Sequence, residues 1–228
     1  MEPYVIKETG TLIAIDKPAG LIVHSDGRTA EPSLAEWLIE RFAYLKDVGD
    51  PWVSPQGESV RIGGLLHRLD RSTSGVILAA KTQAAWEKMR EEFRGRRVKK
   101  SYLAYVYGTM EASEGTIVAE IMRSSEPPKR WYARPTTRED KRAAITLWRL
   151  IQQLPEAALL ELNPETGRTH QIRVHLSSIG HPIVADQLYA PERPAVLGFT
   201  RPALHASRIE ILGSAFEADL PPDFAAVE

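Results

Sequence analysis

His67-Arg68-Leu69-Asp70-Arg71-Ser72-Thr73-Ser74-Gly75 sets a carboxylate in a polar stretch that opens straight into a hydrophobic run reaching Thr82. The run is β-rich and predicts a buried strand, so Asp70 stands on a loop at a strand entrance, a usual place for substrate to meet protein. Arg68 and Arg71 would keep the carboxylate ionised, and an ionised carboxylate can act as a nucleophile. On the residues alone the same aspartate also reads as a turn residue bonded to Thr73 or the following amides.

Upstream, Thr11 to Ile15 reads as a short strand halted by Asp16-Lys17-Pro18-Ala19-Gly20, whose proline and glycine signal a turn. Ser33 with Glu36 three residues on predicts a capping box. Leu34, Trp37, Leu38, Phe42 and Leu45 continue it at helical spacing. Residues 47 to 64 have no period and read as a long loop delivering the chain to Leu65. Downstream, Trp86, Met89 and Phe93 share a helix face, and Gly95 falls at its C-cap. Ser101–Gly108, Gly115–Ile121, Ala143–Ile151 and Ala157–Leu162 follow as strands with short breaks, which suggests antiparallel pairing. A last helix is expected from near Thr169, with Ile172, Leu176 and Ile179 on one face, to Gly180 before Pro182. Strands with irregularly interspersed helices make the class α+β, with a mixed, mostly antiparallel central sheet and flanking helices.

The chain of 228 residues, 43% hydrophobic, needs no staple for its core, and the absence of cysteine removes disulfides, thiolate metal sites and a thiol nucleophile. No stretch approaches the roughly 20 apolar residues of a membrane span, so a cytoplasmic protein is expected. A net charge of −1 hides uneven patterning. Arg94, Arg96, Arg97, Lys99 and Lys100 crowd together, Lys129, Arg130, Arg134 and Arg138 follow, and Asp219, Asp223 and Glu228 gather at the C-terminus. Local basic patches set phosphate binding, although each also reads as a solvated face.

Two more constellations carry polar chemistry. Gly167-Arg168-Thr169-His170-Gln171-Ile172-Arg173-Val174-His175 stands at a strand-to-helix junction. There Thr169 reads as an N-cap and Arg173 could reach inward to a carboxylate such as Asp70. The two histidines stand five apart, on different faces of a helix, which speaks against a shared metal. Lys99-Lys100-Ser101-Tyr102-Leu103-Ala104-Tyr105 runs a basic pair into a strand in which Lys100 and Tyr102 share a side. An aromatic ring beside a cation suits a nucleobase with its phosphate, and Tyr102 reads also as a half-buried strand aromatic. Neither a G-x-x-x-x-G-K-[ST] loop nor a G-x-G-x-x-G loop occurs.

Together the motifs resemble pseudouridine synthases of the ribosomal large-subunit synthase A type. The resemblance rests on His67-Arg68-Leu69-Asp70-x-x-Thr73-Ser74-Gly75, Asp16-Lys17-Pro18-Ala19-Gly20-Leu21, Lys100-x-Tyr102-x-Ala104 and Gly167 to His175. Gly180-His181-Pro182-Ile183-x-x-Asp186 and Leu204-His205-Ala206 add to it, and the motifs run in family order from about residue 11 to 212. It implies a catalytic domain spanning residues 1–228 with an RNA-binding cleft and no N-terminal S4-type domain. It implies isomerisation of uridines in ribosomal or transfer RNA, with Asp70 as nucleophile, Tyr102 stacking on uracil, Arg173 pairing with Asp70 and Ile172 walling the pocket. Arg68 would fill the space a flipped uridine vacates, and Arg96, Arg97, Lys100, Arg168 and His170 would bind substrate. A monomer without cofactor or metal is expected. The alternatives are a catalytically silent RNA-binding module and a carboxylate-dependent glycosidase, which would need a second carboxylate.

Overall fold

The computed structural model describes residues 2–25, 31–54, 57–125, 130–140 and 142–225; Lys129 and Glu228 lie outside them. In chain order the elements are β1 (Tyr4–Glu8), β2 (Leu12–Lys17), α1 (Leu34–Arg41), β3 (Trp52–Val53), β4 (Ser59–Val60), β5 (Ser74–Ala80) and α2 (Gln83–Arg94). They continue with β6 (Lys99–Tyr107), β7 (Glu114–Arg123), β8 (Trp131–Pro135), β9 (Ala143–Gln153), β10 (Ala157–Pro164), α3 (Gln171–Ser178), β11 (Leu204–Ile211), β12 (Ser214–Glu217) and α4 (Pro222–Ala225). No described helix is long and apolar enough to cross a membrane. The chain forms two compact units, residues 1–98 with 206–219, and residues 99–205 with 220–228.

In the first unit the strand order is β1-β2-β5-β11-β12, with β2 antiparallel to β5 from Leu12↔Ala80 to Lys17↔Gly75. β5 is buried along its whole length, which is why it reads as an apolar run and not as an alternation. The capping box of α1 is present: Ser33 Oγ accepts the Glu36 N–H and Glu36 Oε2 accepts the Ser33 N–H at 2.8 Å. The helix stops at Arg41, short of Leu45, and a 3-10 turn over Ala43–Leu45 follows. The aperiodic segment holds the small β3–β4 hairpin.

In the second unit the order is β6-β10-β9-β7-β8, and every pairing is antiparallel. Ile172 and Leu176 of α3 join Leu160, Leu162 and Trp148 in one buried cluster. α3 ends in paired backbone bonds, Gly180 N–H to Ser177 O and His181 N–H to Leu176 O, with Gly180 at φ +85, the expected Schellman stop. Ile179 is 39% exposed and off the core face.

Candidate active site

In the first unit, the chain reaches Asp70 along a path fastened to β5 and α2. Gly63 and Gly64 both take positive φ, and a Cβ on Gly64 would lie 2.3 Å from Ala80 O, so only glycine lets the chain run this close to β5. Trp86 Nε1 donates to Leu65 O at 3.1 Å, and Arg90 Nη1 donates to Leu66 O at 3.2 Å. The Leu78 N–H donates to His67 Nε2 at 3.1 Å while the imidazole stacks on Phe93, centroids 5.2 Å apart. His67 is therefore a fastener whose ring proton sits on Nδ1. Asp70 to Thr73 then form a turn in which the Thr73 N–H donates to the Asp70 backbone carbonyl at 3.0 Å, and Asp70 is partly buried.

From its other side the turn is clasped by the loop after β2. The Gly20 N–H donates to Arg71 O at 2.8 Å. Lys17, fully buried, directs its ammonium to Pro18 O (2.8 Å), Leu21 O (2.9 Å) and Arg71 O (3.3 Å). A buried ammonium is tolerable only with acceptors of this kind, so the Asp-Lys-Pro-Ala-Gly motif works as a clamp on the Asp70 turn. Arg71 pairs with Glu31 at 2.5 Å, while Arg68 is exposed and its charge helps hold the His24 imidazole below its ordinary pKa, behind the larger effect of burial. The turn directs both side chains outward, which spacing along the sequence does not reveal.

In the second unit the polar run from Gly167 to His175 splits into lock and cradle. Gln171, which is buried, donates through Nε2 to Ile145 O (2.9 Å) and Thr146 Oγ1 (3.0 Å). Its Oε1 accepts from Thr166 Oγ1 (2.8 Å) and the Arg168 N–H (2.9 Å). This fully used amide ties the loop before α3 to β9. His175 packs beside it, Nδ1 2.9 Å from Thr146 Oγ1, and burial pushes its pKa down to about 4. Thr169 is not the N-cap. His170 takes that place in the left-handed region, φ +54, and its Nδ1 lies 2.8 Å from the Tyr189 hydroxyl.

Arg173 is nearly buried. Within its own unit it finds Asp186, giving Nε to Oδ2 at 2.7 Å and Nη2 to Oδ1 at 2.9 Å. Asp186 Oδ1 also accepts the N–H groups of Leu188 (3.1 Å) and Tyr189 (3.2 Å). The guanidinium carbon sits 5.1 Å from the centre of the Tyr189 ring. The fork-on-carboxylate pairing places a carboxylate other than Asp70 at this edge of Arg173, which sequence reasoning had named only as a motif position.

Tyr102 is half-buried opposite Leu162 of β10, whereas Tyr105 turns to Phe199 and Phe224. The opposite orientations follow strand alternation. Lys100 shares Tyr102's side of β6 and donates to Thr166 O at 3.4 Å; burial lowers its pKa to about 8. Arg168 is exposed, and Ile172 sits in the core. The basic run is not a uniform patch. Arg97 grips Glu92 with Nε and Nη2, both at 2.9 Å, holding that carboxyl below its ordinary range, and Arg94 pairs with Glu91. Gly95 is the C-cap of α2, as expected, with φ −73, and the exposed Arg96 follows it in the left-handed region at φ +55. Of the second basic cluster, Arg134 pairs with Glu120 and Arg138 with Glu165.

The residues sequence reasoning missed are Tyr189, Thr146 and Lys17's role. A lysine closing an apolar strand was the only legible hint among them.

Comparison with known proteins agrees with this arrangement. The profile described as RNA pseudouridylate synthase matches residues 11–178. The ribosomal large subunit pseudouridine synthase D of Nitrosomonas europaea is 35% identical, the match covering 98% of this chain and 63% of that protein. The protein of the same name from Xanthomonas campestris is 37% identical, with 91% and 61% covered. The chain thus spans less than two thirds of the length of these relatives. The solved structure of human RNA pseudouridylate synthase domain containing 4 shares the fold, with a TM-score of 0.73 at 24% identity over 98% of this chain and 90% of that one. A match across most of the chain, with the motifs standing on the elements just described, settles the matter: the chain belongs to the RNA pseudouridylate synthase family.

Proposed function

We propose that this protein is an RNA pseudouridine synthase acting in the cytoplasm on uridines of structured RNA. Large-subunit ribosomal RNA is the first substrate to test, because relatives are named for it. The observation that carries the reading is the clamp. Lys17 and Gly20 fix the backbone of the Asp70 turn at Arg71 O while Asp70 stays partly accessible, the combination a nucleophile requires. The target uridine leaves the helix, at a cost of a few kcal/mol, because its glycosidic bond is otherwise covered. Tyr102 stacks on the uracil, Ile172 walls the pocket, Arg173 pairs with Asp70 to keep it ionised, and Arg68 fills the vacated space. Arg96, Lys100, Arg168 and His170 bind the surrounding substrate; Arg97 joins them only by releasing Glu92. Asp70 promotes cleavage of C1′–N1, the base turns, C5 bonds to C1′, and the C5 hydrogen leaves as a proton while N1 gains one. The balance is an isomerisation without cofactor or metal.

The test is tritium release from RNA labelled at uracil C5. Release should persist in excess chelator and without added nucleotide, leave the RNA chain intact and disappear in Asp70→Asn. RNA binding without release above that control would make the protein a silent binder, and free uracil would make it a hydrolase.

A further inference from the structure

Four residues of the second unit form a closed contact. Asp186 takes one edge of the Arg173 guanidinium, and Tyr189 lies under its face. The Tyr189 N–H donates to the same Asp186 oxygen that accepts Nη2. The Tyr189 hydroxyl meets His170 Nδ1 at 2.8 Å and accepts the Trp131 N–H at 3.3 Å, and His170 is the left-handed residue from which α3 starts. Tyr189 thus touches Arg173 through its ring, touches Arg173's carboxylate through its amide, and touches the start of Arg173's helix through its hydroxyl. A guanidinium held by edge and face together has one orientation left, and catalytic groups need their geometry held within fractions of an ångström. Resting on the proposed reaction, we infer that Tyr189 is a positioning residue: its ring face, with Asp186, sets the orientation in which Arg173 serves the catalytic carboxylate.

The inference separates ring from hydroxyl. Tyr189→Phe keeps the face under Arg173 and loses the bonds to His170 and Trp131; Tyr189→Met fills similar volume without a face. Single-turnover tritium release at saturating enzyme is insensitive to the folded fraction. It should fall about tenfold in Tyr189→Met, with RNA Kd changed less than twofold, and stay within about twofold of wild type in Tyr189→Phe. The Arg173 Nε–H resonance, assigned with Arg173→Lys, should be shifted or broadened by Tyr189→Met and kept by Tyr189→Phe. Equal slowing by both variants, a loss confined to Kd, or an unmoved Nε–H signal in Tyr189→Met would each overturn the inference. Tyr189→Leu serves as the ringless variant if Tyr189→Met loses its cooperative melt. A wild-type protein that releases no tritium refutes the proposed reaction instead, and the resonance then decides the positioning of Arg173 by itself.

Discussion

The turn bearing Asp70 and the helix bearing Arg173 are made rigid in opposite ways. The turn is held through its backbone by a buried ammonium and an N–H on Arg71 O and by the fastening of residues 64–67 to β5 and α2. The helix start is held by buried side chains, Gln171 on β9 and Arg173 on Asp186 and Tyr189. The difference follows from the groups presented. On the proposed reaction, Asp70 needs a fixed loop and a carboxylate within reach of substrate, and the residue is partly exposed. A guanidinium with five donors can give one edge and one face to the protein and still act.

The comparison is broken most completely at Asp70. Asp70→Asn should abolish product formation while melting temperature and RNA Kd stay near wild type, because asparagine keeps the shape of aspartate and the Lys17 and Gly20 bonds go to backbone carbonyls; retained turnover would remove Asp70 from its role. Lys17→Met should then cost about 3 kcal/mol or more in urea unfolding, since Pro18 O and Leu21 O lose their charged donor and Arg71 O keeps only the Gly20 N–H. A loss below about 1 kcal/mol would mean that the clamp is Gly20's alone.

The side-chain-held unit should show its own weakness in acid. Folded His175 stays neutral to about pH 4, whereas in the unfolded chain it takes a proton near pH 6.5, so between those values the unfolded state binds more protons. Stability should fall by up to roughly 3 kcal/mol as pH drops from 6.5 to 4, and His175→Gln should flatten that slope. Hydrogen exchange should place the loosening at α3 and β9; equal loosening of the Asp70 turn would contradict the contrast. The smallest effect belongs to Arg96. Arg96→Gly relieves a left-handed residue and should raise stability by about 1 kcal/mol, while lowering the salt dependence of RNA binding by about one phosphate contact. Unchanged salt dependence would remove Arg96 from the RNA surface.

Much of this was legible in the linear chain. The capping box at Ser33, the helix face of Trp86, Met89 and Phe93, the strands before and after, and Gly180's stop are local matters of period and cap. β1, β8, β11 and β12 were not legible, being short or lacking a clean alternation. The helix after Ser33 was drawn too long, because periodicity continues through Phe42 where the backbone turns.

The sequence by itself determined the α+β class and the family, because period, turns and motif residues are written in neighbouring positions. Tertiary structure decided the partners. Arg71 went to Glu31, Arg97 to Glu92, His67 to Leu78, Lys17 to Arg71 O, and Arg173 to Asp186 and Tyr189. A charge finds whichever acceptor the fold carries within about 3 Å, and that distance depends on where the chain crosses itself, which no local pattern encodes.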